Sequence, residues 1–115
     1  MNDNYHTDLW LKSIFENWFD PCPYNPEWNI NGLRMVWQNR TFVNPPYSNP
    51  KPWVIKAIEE NKKDKTIVLL LKHDSSTEWY RLLHEAGANF LMINRRLRHQ
   101  TGKAAAFPSV LAVLS

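Results

Sequence analysis

Four consecutive residues, Asn44-Pro45-Pro46-Tyr47, have the types needed to grip a planar amino group, and Ser48 follows them. Such a nitrogen is a weak nucleophile because its lone pair is delocalised, so its two hydrogens need acceptors near tetrahedral positions. The Asn44 side-chain oxygen and the Pro45 carbonyl can accept them. Two prolines stiffen the loop, and Tyr47 offers a flat stacking face. The motif therefore predicts transfer of a methyl group from a sulfonium donor to an amino nitrogen, unless it is only a proline-rich turn.

Strands and helices alternate around this motif. Two short strands are expected to end at Asp20 and Asn44, and Gly87 is expected to end the last helix. The expected strands are 18–20, 41–43, 66–71, 89–93 and 109–114, and the expected helices are 7–17, one that begins near Pro52, and 77–86. This order predicts an α/β fold with a mostly parallel sheet and flanking helices. Asp20 and Asn44 would then face one crevice at the carboxyl ends of the strands.

Composition limits the class of protein. A chain of 115 residues fits a single domain, 1–115, and no apolar run reaches the ~20 residues that span a bilayer. A lone cysteine, Cys22, and a polar amino terminus favour the cytoplasm. The four histidines have no ligand spacing, so we expect no metal site. The net charge of +3 is compatible with a polyanionic partner but does not require one.

The spacing of the tryptophans indicates which of them belong to the core. Trp10, Trp53 and Trp79 lie on the apolar stripes of expected helices and are expected in the core. Trp28 and Trp37 fall in an irregular segment. They either belong to the core or border the cofactor or base.

With these segments in order, the chain resembles the phage-type DNA N6-adenine methyltransferases, which are Rossmann-like enzymes that use S-adenosylmethionine. Beyond the central motif, Asp20-Pro21-Cys22 resembles the family's Asp-Pro-Cys segment, and Asn31-Gly32-Leu33 stands where the family has Asp-Gly-Leu. Further resemblance lies in Thr7-Asp8-Leu9-Trp10, Trp53-Val54, Lys56-Ala57, Thr77 with Trp79, Arg96-Leu97-Arg98 and Phe107-Pro108-Ser109.

The resemblance implies N6 methylation of adenine in DNA by a trimmed Rossmann-like methyltransferase domain. Asn44, Pro45, Pro46 and Tyr47 would then be catalytic and bind the flipped base. The cofactor-binding residues implied in the same way are Thr7, Asp20, Pro21, Cys22 and Asn44. Asp20 has a second interpretation as a turn-capping acid, and Thr7 one as a helix cap.

The chain also departs from the resemblance. No Gly-x-Gly follows the first strand, only a short stretch separates Asp20 from Asn44, and Asn31 replaces an aspartate. We therefore expect a shallow cofactor site that a homodimer, another partner or closure on DNA completes.

A basic segment between the last two strands is the best candidate for phosphate contact, with a solvated hairpin as the alternative. The residues expected to bind nucleic acid are Tyr47, Ser48, Arg95, Arg96, Arg98 and Lys103. A base within a duplex must be flipped out to reach the central motif.

Two other functions remain open from the residues. The same motif suits an adenine in RNA or a glutamine amide in protein. The trimmed cofactor region also suits a module that binds nucleic acid with little or no catalysis. If the protein is viral, its compartment would be the host-cell cytoplasm.

Overall fold

The structure is a computed structural model that describes residues 9–23, 31–46, 48–93 and 108–115. The elements in chain order are α1 (Leu9–Ile14), a short 3-10 helix (Gly32–Arg34), β1 (Arg40–Val43), α2 (Lys51–Asn61), β2 (Thr66–Lys72), α3 (Glu78–Glu85), β3 (Asn89–Met92) and β4 (Ser109–Leu114). Within these ranges, each helix is too short or too polar to cross a membrane.

The four strands form one sheet in the order β1-β2-β4-β3. β1 pairs with β2 in parallel, whereas β4 is antiparallel to both of its neighbours. β1, β2 and β3 therefore run in the same direction and end at the same edge, where β4 begins. We call this the carboxyl edge. Asn44 directly follows β1 at this edge, and His73 directly follows β2.

The sheet is mixed, so the expectation of a mostly parallel sheet is wrong. A parallel connection needs a crossover, usually a helix. Helix α2 provides the crossover between β1 and β2, and α3 lies between β2 and β3. The sequence between β3 and β4 instead suggested a hairpin, which joins antiparallel strands. β4 returns beside β3 in the antiparallel direction, with Met92 opposite Val110. The α/β class agrees with the sequence prediction.

The sheet separates two apolar clusters. Helices α2 and α3 pack on one face, where Val54 and Leu83 are fully buried. On the other face, Leu11 of α1 packs with Phe42 and its neighbours. β2 is buried on both faces, as its continuous apolar run predicted, because the cluster with α2 and α3 covers one face and the cluster with Leu11 covers the other.

α1 corrects one detail of the sequence interpretation. Trp10 was expected in the core, but it is 40% exposed, and Ile14 is 60% exposed. Leu11 carries the burial instead and has no exposed surface. The described helix has only six residues, and so short a helix has too few apolar positions to show from the sequence which face is buried. Trp79 is buried, and Trp53 packs at the margin of the core, as expected.

The ends of α3 follow from local chemistry. The Thr77 hydroxyl caps the first turn by accepting a hydrogen bond from the Tyr80 N–H at 3.3 Å. At the other end, Gly87 has φ of 84°, and the Ala88 N–H donates to the Leu83 carbonyl at 3.0 Å. This is a Schellman ending, and it confirms the helix boundary expected at Gly87.

A buried ion cluster holds the opposite edge of the sheet. Glu60, at the end of α2, is fully buried and pairs with Lys65, which precedes β2, and with Lys56 at 2.9 Å. The Lys65 ammonium also donates to the Trp37 carbonyl at 2.6 Å. Burial alone would raise the pKa of Glu60, but the hydrogen bonds and charges of Lys65 and Lys56 outweigh it and lower the pKa from 4.5 to about 2.

Glu60→Gln should destabilise the protein by about 3–5 kcal/mol, because it leaves the buried Lys65 ammonium without its counter-charge. Chemical denaturation at neutral pH measures this difference. Since the Glu60 pKa lies below 4.5, its stabilisation is complete above that pH and declines as the pH falls towards 2. The variant should therefore lose stability less steeply than wild type over that range.

Glu59→Gln is the matched control, because Glu59 is the exposed neighbour on the same helix. It should change stability by no more than about 0.5 kcal/mol. Equal destabilisation by the two substitutions would contradict a structural role for the buried cluster.

Candidate active site

The central motif is held between a strand and a helix. β1 ends at Val43, and the chain then turns so that the Pro46 carbonyl accepts a hydrogen bond from the Asn49 N–H at 3.2 Å. The Pro50 carbonyl accepts from the Trp53 and Val54 N–H groups, both at 3.0 Å, and so begins α2. The turn and the helix start thus fix the backbone that carries Asn44 and the two prolines.

Within the motif, the polar groups are protected from water. Asn44 is partly buried, and its side-chain oxygen Oδ1 is inaccessible to solvent. Pro45 is buried, and the described residues make no backbone hydrogen bond to its carbonyl. A polar acceptor in a water-poor site interacts more strongly with a donor than it would in water. Tyr47 lies outside the described residues, and Ser48 is exposed.

Asp20 lies next to this motif because a short parallel pairing extends the sheet. The Phe19 N–H donates to the Arg40 carbonyl, and the Phe42 N–H donates to the Phe19 carbonyl, both at 2.9 Å. Phe19 is thereby bridged to Thr41 in parallel. The strand expected at 18–20 is present as this single bridge, and Asp20 follows it at the carboxyl edge.

The Asp20 carboxylate has an unusual electrostatic setting. Its Oδ1 accepts a hydrogen bond from the Cys22 N–H at 2.9 Å, which closes a tight turn over Pro21. Although the residue is exposed as a whole, partial desolvation by neighbouring protein atoms raises the pKa of its carboxyl group. The Cys22 N–H and the charge of Lys12 oppose this rise without cancelling it.

Trp37 belongs to the core. The sequence left both roles open, and the structure shows its side chain 1% exposed. Its indole N–H donates to the Gly32 carbonyl at 2.8 Å, and its ring stacks on Trp53 with centroids 6.4 Å apart. Trp28, the other residue of that pair, lies outside the described residues.

Asn31 caps the 3-10 helix. Its side-chain oxygen accepts a hydrogen bond from the Leu33 N–H at 3.0 Å. An aspartate oxygen would make the same bond, so the replacement of the aspartate in Asp-Gly-Leu by Asn31 preserves local structure.

The loop after β2 adds a second polar group to the carboxyl edge, which the sequence interpretation missed. Asp74 accepts hydrogen bonds from Ser76, through its hydroxyl at 2.6 Å and its N–H at 3.1 Å, and these lower its pKa. His73 lies against Tyr80, with ring centroids 6.0 Å apart. The position of this loop could have indicated these residues in the sequence, because the loop directly follows the strand with the longest apolar run.

A surface ion pair connects the starts of the two helices at this edge. The Lys51 ammonium on α2 and the Glu78 carboxylate on α3 are 2.9 Å apart, and both side chains are about half exposed. Such pairs contribute little to stability. This one fixes the relative direction of two long side chains beside the motif.

Several residues expected at the site lie outside the described ranges, but their neighbours locate the chain. The Ile93 N–H donates to the Ser109 carbonyl at 3.3 Å, and the His73 N–H donates to the Pro108 carbonyl at 2.9 Å. The chain therefore leaves and re-enters the sheet at the carboxyl edge. The expected site residues outside the described ranges are Thr7, Tyr47, Arg95, Arg96, Arg98 and Lys103.

Across the described ranges, no group of three or more histidine, cysteine, aspartate or glutamate residues could hold a metal ion. The fold and the site define an α/β protein with two side chains at the carboxyl edge of its sheet. They are the amide of Asn44, which precedes two prolines, and the partly desolvated carboxylate of Asp20.

Comparison with known proteins gives the family. Residues 7–106 match the model of the family described as DNA N-6-adenine-methyltransferase (Dam), and the chain belongs to this family. A DNA N-6-adenine-methyltransferase of Haemophilus phage HP1 is 48% identical over 94 residues, covering 68% of this chain and 54% of the relative. A protein of the same name from Escherichia phage T1 is 35% identical over 69 residues, covering 58% and 29%.

The chain spans about half the length of the Haemophilus phage relative and less than a third of the Escherichia phage relative. No solved structure matches it.

The two described aspartates at the carboxyl edge should titrate in opposite directions. Burial raises the pKa of Asp20, and the Ser76 hydrogen bonds lower that of Asp74. Carbon-13 NMR titration of the side-chain carboxyl groups should place Asp20 above the ordinary aspartate range and Asp74 below it. If Asp20 titrates at or below Asp74, the electrostatic description of this edge is wrong.

Proposed function

We propose that this chain transfers a methyl group from S-adenosylmethionine to the N6 amino group of adenine in DNA. Family membership supports the proposal, because the relatives are named for this activity. The structural observation that carries it is the position of the motif, because Asn44 directly follows β1 and the backbone after it is held by the turn at Pro46 and the start of α2.

The motif acts on the amino group by hydrogen bonding. The Asn44 oxygen accepts one N6 hydrogen, and the Pro45 carbonyl accepts the other. These bonds draw the nitrogen towards a tetrahedral shape and localise its lone pair for attack. Positive charge develops on the nitrogen, and fixed acceptors stabilise it without reorganising. Pro46 contributes stiffness, because its carbonyl already closes the turn onto Asn49.

The residues around Asp20 fit the methionine end of the cofactor. Asp20 is exposed at the carboxyl edge, its Oδ1 accepts a hydrogen bond from the Cys22 N–H, and a carboxylate has two oxygens that can each accept more than one hydrogen bond. Its carboxylate can therefore accept a further bond from the cofactor's ammonium group. The Pro21–Cys22 backbone shapes the floor of this site, and Thr7 is proposed to contact the cofactor's carboxylate. S-adenosylmethionine supplies the sulfonium-bound methyl group.

DNA is the proposed partner, and the target adenine must leave the duplex. Flipping a base costs a few kcal/mol, which contacts to the flipped base and the phosphates must offset. Tyr47 is the proposed stacking face, and Ser48 lies next to it. The segment with Arg95, Arg96, Arg98 and Lys103 is proposed to contact phosphates, because the chain flanking it meets the sheet at the carboxyl edge.

The finer architecture is also a proposal. We infer a single methyltransferase-like domain over residues 1–115, with a trimmed Rossmann-like sheet whose reversed strand, β4, lies between β2 and β3. A second copy or another partner is proposed to complete the cofactor site. The proposed compartment is the cytoplasm, of the host cell if the protein is viral.

Asn44→Ala should lower methyl transfer by about 100- to 1000-fold, the usual effect of removing one preorganised polar group from an active site. The measurement is incorporation of labelled methyl groups from S-adenosylmethionine into unmethylated DNA, followed by nucleoside analysis for N6-methyladenine.

Asn89→Ala is the matched control, because Asn89 is an exposed asparagine at the start of β3, at the opposite edge of the sheet. It should leave the rate unchanged. Equal incorporation by wild type and Asn44→Ala would refute the proposed role of the motif. Methyl groups recovered only from RNA or protein glutamine would change the substrate.

Asp20→Asn should weaken cofactor binding and remove its dependence on acidic pH. The wild-type carboxylate binds an ammonium group only when ionised, and its pKa is raised. Wild-type affinity should therefore fall on acidification at a higher pH than an ordinary aspartate would cause, while the variant stays flat. Calorimetric titration with S-adenosylmethionine across this range measures both, and identical pH profiles would contradict the assignment.

A further inference from the structure

The turn that carries Asp20 lacks the support usual for a cofactor loop. No Gly-x-Gly follows the first strand in the sequence. The strand before the turn is only the single bridge at Phe19. In the described part of the chain, backbone hydrogen bonds to Arg40 and Phe42 hold Phe19, and the Cys22 N–H bonds to the Asp20 side chain. Something else must fix the position of the turn relative to the central motif.

The 3-10 helix approaches this turn too closely for a side chain. A Cβ atom added at Gly32 would overlap the carbonyl oxygen of Pro21 and lie 2.9 Å from its carbonyl carbon. Both of these atoms belong to the backbone, so no flexible side chain can move aside. Gly32 and Pro21 are both buried. The glycine is therefore required by packing, because its backbone is the surface on which the turn rests.

Gly32 is itself fixed to the core. Its carbonyl accepts the buried indole N–H of Trp37 at 2.8 Å. Trp37 stacks on Trp53 of α2, and its own carbonyl accepts the Lys65 ammonium at 2.6 Å. α2 is the helix that begins directly after the central motif. A continuous series of contacts thus joins the Asp20 turn, through Gly32 and Trp37, to the helix that follows the central motif.

We propose that Gly32 and Trp37 are positioning residues that set the separation between the cofactor's methionine end and the amino-group motif. The inference rests on the proposed function. Neither residue touches substrate or cofactor in this role; both act through the Pro21 backbone. Gly32 lies further along the chain than a glycine-rich loop would, but it also allows close backbone packing beneath the turn.

Gly32→Ala should displace the turn, because the added methyl group and the Pro21 carbonyl cannot occupy the same space. A shift of about 1 Å in a site can cost about 100-fold in rate. We expect the Kd for S-adenosylmethionine to rise at least about tenfold, while affinity for DNA stays within about twofold of wild type. Trp37→Phe keeps an aromatic ring but removes the N–H, and should give a smaller change in the same direction.

Gly87→Ala is the matched control. It adds the same methyl group in open space and lowers stability only through the positive φ of Gly87. It should leave cofactor affinity unchanged. Circular dichroism establishes that each variant is folded, so a general loss of stability is separated from displacement of the turn.

A second readout needs no cofactor. If Gly32 holds the turn, Gly32→Ala and Trp37→Phe should shift the carbon-13 titration of the Asp20 carboxyl group towards the ordinary aspartate range, and Gly87→Ala should not. An unchanged Asp20 titration in both folded variants would overturn the positioning role. A shifted titration together with a wild type that binds no S-adenosylmethionine would leave the packing role standing and overturn the proposed function.

Discussion

The parallel alignment of Phe19, β1 and β2 is the constraint on which the site depends. Parallel strands bring their carboxyl ends to one edge, so the residues that follow them meet there whatever their separation in the sequence. Asp20 and Asn44 are 24 positions apart in the sequence, yet they follow adjacent strand ends. Two backbone hydrogen bonds at Phe19 set this parallel direction, because β1 is already fixed against β2, and the close contact of Gly32 with Pro21 then supports the turn.

The two edges of the sheet divide the chemistry. At the carboxyl edge, polar groups lie on turns that prolines and short hydrogen bonds make stiff, and Asn44 is protected from water. At the opposite edge, Glu60 and Lys65 neutralise each other in the interior beneath Trp37. The second cluster carries no proposed chemistry. It connects the end of α2 to the start of β2 and so stabilises the packing of α2, the helix that follows the motif, against the sheet.

Trp37 connects these two edges. Its carbonyl binds the buried ammonium, its indole nitrogen binds Gly32, and its ring packs on α2. One buried aromatic residue therefore links the 3-10 helix beneath the Asp20 turn to α2 and to the buried ion cluster. Asn31 helps to hold this helix in place, because its side-chain oxygen caps the 3-10 helix that contains Gly32.

Strong local signals were enough to predict the buried run of β2, the end of α3 at Gly87 and the position of the motif after β1. Family membership also followed from the order of short segments. The tertiary structure decided what depends on distant partners. The reversed direction of β4, the burial of Leu11 in place of Trp10, and the contact of Gly32 with Pro21 arise from residues far apart in the chain. Local patterns carry propensity, whereas strand direction, burial and close backbone approach are set by packing.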